Sequence, residues 1–96
     1  MNNQVVLSSL AMDLRRVAMG YHRGSKKIAE RFFEEALKRK DEVDRGKVKL
    51  YVSKLLDQLP DVTKQADGQR IAEDILMYST LFQNAAMKMG EKGLKL

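Results

Sequence analysis

A chain of 96 residues makes one small domain with a single core and a modest share of buried surface. Hydrophobic residues at 44% and charged residues at 32% exclude wholesale disorder, and the absence of cysteine excludes disulfides and thiolate chemistry. The net charge of +5 is uneven: Arg15 to Arg31 sets six basic residues against Glu30 alone, whereas Asp57 to Asp74 sets five acids against Lys64 and Arg70. A basic N-terminal half attracts anions, nucleic acid or the acidic region of another copy.

The first helix is predicted over residues 4–21. Leu7, Leu10, Leu14, Val17 and Tyr21 form its apolar stripe, with Ala11 and Ala18 alongside. Val5, Met12 and Met19 draw a further apolar line on its outer flank, one that a monomeric bundle has difficulty hiding. Asp13, Arg15 and Arg16 interrupt the apolar start, which also lacks the basic lead of a secretory signal, so the expectation is a soluble cytoplasmic protein. Gly20 and Gly24 weaken the helix, with Gly24 suited to a C′ position and Ser25 to an N-cap.

The second helix is predicted over 26–43, with Ile28, Ala29, Phe32, Phe33, Ala36 and Leu37 inward. Glu34–Lys38 and Glu35–Arg39 are expected as pairs on its wet side. Gly46 marks the next break, with Asp44 as a cap. A short third helix over 47–58 turns Val48, Tyr51, Val52, Leu55 and Leu59 inward, and Pro60 ends it before a loop to Asp67.

The fourth helix, over 68–89, is the most apolar. Ile75 to Met87 is thirteen residues without a charge, far too short to cross a membrane. Ile71, Ile75, Tyr78, Phe82, Ala85 and Met89 form an unbroken stripe, while Leu76, Met77, Leu81 and Met87 point elsewhere. Such a helix needs cover on every side, from the rest of a bundle or from a second subunit. Gly90 is expected to stop it, leaving a frayed tail over 91–96. Ala72, Ser79 and Ala86 repeat the seven-residue spacing of Ala11 and Ala18. Small residues at that spacing let the first and fourth helices approach closely, within a subunit or between two.

Chemistry-bearing clusters are scarce. His22 is the one histidine, and no spacing of metal ligands occurs, so neither a metal nor a cofactor is expected. The turn Gly20 to Lys27 is the candidate anion site: Arg15, Arg16, Arg23, Ser25, Lys26 and Lys27 gather around a helix start with free N–H groups. The aromatics mostly occupy core positions, so Tyr21 alone is placed to stack on a base.

Arg16 and His22, with five residues between them, resemble the arginine–histidine pair of the small helical ribonucleases of the HEPN class. That resemblance implies RNA cleavage by those two residues. Val17 follows Arg16 where that family usually has a polar residue, and the pair falls in the first helix rather than late in the bundle.

The resulting expectation is an all-α, antiparallel four-helix bundle, one domain over residues 1–96, with the fourth helix as its axis. It is a non-catalytic interaction protein that pairs as a homodimer through Val5, Met12, Met19, Leu76, Met77, Leu81 and Met87. Another protein is a further expected partner, and nucleic acid, bound by the basic residues, is the alternative.

Overall fold

The computed structural model describes residues 2–94, and the side chains of residues 2–90. Asn2 opens the first helix, its Oδ1 accepting the Val5 N–H at 2.9 Å, so α1 spans Asn3–His22. The far end closes in a Schellman turn: Ser25 N–H donates to the Gly20 carbonyl at 2.8 Å and Gly24 N–H to that of Tyr21 at 3.2 Å. Gly24 takes φ +77°, a left-handed value that a side chain resists, so the glycine stands at the C′ position its sequence suggests. Gly20, by contrast, does not break α1, which continues through it to His22.

α2 spans Lys26–Lys40, and Ser25 holds its N-cap position without a capping side-chain hydrogen bond. It ends before Val43 because Asp41, Glu42 and Val43 tighten the chain through bonds to Lys38, Arg39 and Lys40. Val43 is nonetheless buried. A 3-10 turn, Arg45–Lys47, comes next, capped by Asp44, whose Oδ1 accepts the Gly46 N–H at 3.1 Å. Val48 and Lys49 are then extended, which delays α3 to Leu50–Gln58. Pro60 has no N–H to continue the α ladder, yet the chain runs on as a 3-10 helix, Leu59–Lys64, where a loop is expected.

α4 spans Gly68–Leu94, so Gly90 does not stop it. Gly90 instead lies against α1, where an added Cβ would strike the side-chain amide of Gln4. Residues 95–96 of the expected tail lie outside the described residues.

Among the described residues the secondary structure is helical without a strand, and four helices pack against each other. α1 holds the middle. It packs on α4 along one side and on α2 along the other, with Val6, Leu7, Leu10, Leu14 and Val17 wholly buried. The hydrophobic axis is therefore α1 rather than α4, because α1 forms the two most extensive interfaces, with α4 and with α2, although each of the two long helices keeps one face in solvent. The predicted inward face of α4 is buried from Ile71 to Ala85, with Met89 half-buried.

The two ladders of small residues meet within the chain. Ala11, Ala18, Ala72, Ser79 and Ala86 are all buried, and the Ser79 hydroxyl donates to the Ala11 carbonyl at 2.7 Å. A hydroxyl reaches a carbonyl of another helix only where no larger side chain holds the two apart. α3 turns Val52 and Leu56 inward, followed by Leu59, whereas Tyr51 faces outward against expectation. That spacing of four and three residues is the helical face that α3 selects. The molecule measures 46 × 20 × 20 Å.

Candidate functional site

The outer face of α1 is built from two kinds of residue. Seven residues bring an α-helix back to within about 20° of the same direction, so Val5, Met12 and Met19 share a line. That line is in solvent: Met12 is 57% and Met19 45% exposed. Arg15, Arg16 and Arg23 flank it, all exposed. Among the described residues Arg15 and Arg23 have no ion-pair partner, and Arg16 Nη1 lies 3.7 Å from Asp13 Oδ1.

Between this face and α2 lies a groove of about 590 Å³. Met12, Met19, Ile28 and Phe32 supply its apolar surface, and Arg15, Arg16 and Arg23 its charges, with Gly20 and Ser25 completing the lining. No carboxylate lines it. The helices come close beneath it: a Cβ built on Gly20 would lie 2.9 Å from that of Ala29. Ile28, predicted to face inward, is 56% exposed here, while Phe32 and Leu37 are half-buried. The Gly20–Ala29 contact turns α2 so that Ala29, Phe33 and Ala36 occupy the interior.

One charged pair anchors the same two helices. Asp13 is buried at 7% exposure, and Arg39 Nε donates to its Oδ2 at 2.8 Å. That hydrogen bond holds the Arg39 guanidinium protonated above its ordinary range. The predicted surface pairs of α2 are rearranged as a result. Arg39 leaves Glu35 for Asp13, and Lys38 meets Glu35 at 3.7 Å instead of Glu34.

On the other side of α1 two smaller hollows adjoin α4. Arg15, Met19, His22, Glu73 and Leu76 line one, and Met12, Arg15, Thr80, Gln83 and Asn84 line the other. Beyond them α4 presents Leu76, Met77, Thr80, Gln83, Asn84 and Met87, all exposed and none charged. Leu81 is half-buried. This is the uncovered flank of the apolar fourth helix.

The predicted anion site does not stay together. Arg15, Arg16, Arg23 and Ser25 line the groove between α1 and α2, but Lys26 lines a different cleft, with Nζ 4.0 Å from Glu30 Oε1, and Lys27 is exposed apart from both. That cleft, about 710 Å³, carries both signs of charge, with Glu30 and Glu34 beside Tyr21 and Phe33. Burial raises the Tyr21 hydroxyl pKa, and Glu30 adds to the effect. Tyr21 is thus enclosed and turned away from the arginines, while Tyr51 is exposed beside Lys47, Lys49 and Lys88.

Arg16 and His22 are also separated. Arg16 lines the groove toward α2, and His22 lines the hollow toward α4, its Nδ1 3.1 Å from Gln69 Oε1. Among the described residues no cluster of three or more His, Cys, Asp or Glu is grouped to hold a metal ion, and no helix is long and apolar enough to cross a membrane.

The long-range polar contacts whose partners spacing within one helix does not reveal include two made by α1. Asn3 clasps the chain between α2 and α3, donating from Nδ2 to the Asp44 carbonyl and accepting the Asp44 N–H at Oδ1, each at 2.9 Å. The Asp13–Arg39 pair is the other. Its signal was the spacing Val6, Asp13, Gly20, which puts Asp13 on the flank of α1 that meets α2. The chain matches no known protein family, no curated protein and no solved structure.

Proposed function

We propose that this is a non-catalytic helical interaction protein, an antiparallel four-helix bundle that works in the cytoplasm as a homodimer. The antiparallel arrangement is supported by contacts that step in opposite senses along α1 and α4: His22 with Gln69, Ala11 with Ser79, Gln4 beside Gly90. A cytoplasmic setting is supported by the absence of cysteine.

One observation carries the homodimer: the uncharged, exposed flank of α4 from Leu76 to Met87. A two-fold contact sets each surface against itself, so like charges are its main obstacle, and this flank has none. An antiparallel pairing about an axis near Leu81 sets Leu76 of each copy against the partner's Met87. It also brings Glu73 toward the partner's Lys88. Thr80, Gln83 and Asn84 widen the contact along α4, toward the roughly 800 Å² per partner that a stable interface buries.

Light scattering on a sizing column tests this. At tens of micromolar the mass should be twice 11.0 kDa, and Leu76→Glu with Met87→Glu should return it to the monomer with helicity unchanged. A wild-type mass of 11.0 kDa overturns the homodimer.

Nucleic-acid binding is the second reading, favoured by Tyr51, exposed beside Lys47, Lys49 and Lys88. An aromatic among cations is how single strands are held. Salt-dependent binding of a single-stranded RNA, weakened by Tyr51→Ala, would support it.

A further inference from the structure

The groove between α1 and α2 is a different surface from the flank of α4, and its chemistry calls for a different occupant. Its apolar residues, Met12, Met19 and Ile28, are each close to half exposed or more, which is unfavourable while nothing covers them. Its charges are all of one sign. We propose that this groove docks an acidic amphipathic helix from another protein.

Three observations select that partner. The groove runs between two packed helices, and a third helix fills such a trough with one apolar stripe. Met12 and Met19 stand two turns apart, about 10 Å along α1, the repeat at which a docked helix presents its anchors. Methionine side chains are flexible and polarizable, so they adapt to the side chains of a partner.

Charge selects against the other occupants. A second copy placed groove to groove would set Arg16 and Arg23 against the same residues, with no carboxylate in the lining to offset them. Nucleic acid would satisfy the arginines but leave Met12, Met19 and Ile28 uncovered, because phosphates gain nothing from an apolar floor. An acidic helix satisfies both parts of the groove at once.

The test is a titration of the full chain into labelled peptides, read by fluorescence anisotropy. The first peptide is a designed helix of about five turns, with leucines at i, i+3 and i+7 and glutamates on both flanks. The second replaces every glutamate by lysine, and the third probe is oligouridine RNA. The acidic peptide should bind saturably, at least about tenfold tighter than the basic one at low salt. Arg16→Glu with Arg23→Glu should weaken it about tenfold or more, as should Met12→Ala with Met19→Ala. These side chains lie on the surface, so the variants should remain folded, which circular dichroism checks.

Equal affinity for both peptides, or no saturable binding up to about 1 mM, overturns the proposal. So does oligouridine binding that depends on the arginines and ignores the methionine changes, an outcome that assigns the face to a polyanion. The sizing mass is recorded for each variant. Peptide binding by a monomer would overturn the homodimer and leave this docking site standing. A dimer that binds no peptide would do the reverse.

Discussion

Asp13 occupies the boundary between core and groove, and its carboxylate is tolerated there because Arg39 reaches it across two helices. An ion pair of this kind contributes less through attraction than through the cost of leaving either partner alone. Arg39→Met should therefore destabilise the protein by about 2 kcal/mol, since the buried Asp13 would lose its strongest donor. Replacing both, Asp13→Leu with Arg39→Met, should recover most of that loss. Urea unfolding of the two variants checks this, and a double variant no more stable than the single would contradict it. The place of Asp13 within α1 was legible, as an interruption of the apolar run. Its partner was not, because Arg39 lies 26 residues away and the nearer Glu35 offered an ordinary surface pair.

At the scale of the elements, apolar periodicity reported faces well and neighbours poorly. The inward stripes of α1 and α4 follow their spacing almost residue for residue, since burial of one helical face is a local property of the sequence. Which helix lies in the middle is not local. It depends on Gly20, whose missing side chain admits Ala29, and on Ser79, whose small side chain admits Ala11. Element ends were least legible where 3-10 segments follow Asp44 and Gln58, because their bonds differ from those of an α-helix by one residue. Gly20→Ala gives the corresponding prediction. Alanine favours an isolated helix by about 1 kcal/mol, yet here it should cost a net 1–3 kcal/mol, on the order expected for overpacking. The added Cβ meets Ala29 at its Cβ and also at its backbone Cα, 3.1 Å away, so no side-chain rotation relieves it. A thermal melt of the variant checks the sign, and a raised midpoint would contradict the close contact.

For the molecule as a whole, two tyrosines tie protonation to stability. Burial holds the hydroxyls of Tyr21 and Tyr78 above their ordinary pKa of 10.0, with Glu30 adding to the first, and Asp74 and then Asp61 to the second. Below pH 10 both the folded and unfolded states keep these protons, and stability is unaffected by them. Above it the unfolded chain releases them first, so it binds fewer protons than the folded one and stability falls as pH rises. Urea midpoints should decline from about pH 10 upward, and Tyr21→Phe with Tyr78→Phe should flatten the decline. An unchanged slope would contradict this. Four packed helices in one chain were legible from the pattern and breaks of the sequence. The exposed flanks of α1 and α4 were legible too, as apolar residues in excess of what the bundle hides. The division of those flanks into a neutral strip and a cationic groove was not, because it depends on where α2 lies.

The contact between Ser79 and Ala11 joins residues 68 positions apart, and it lies in the contact between α1 and α4. During synthesis α1 emerges well before α4, and α2 covers only part of its apolar surface in the interval. Such non-local pairing delays the final collapse and leaves an early helix open to other chains or to chaperones. The helix that organises this fold is thus the one that waits longest for its main neighbour.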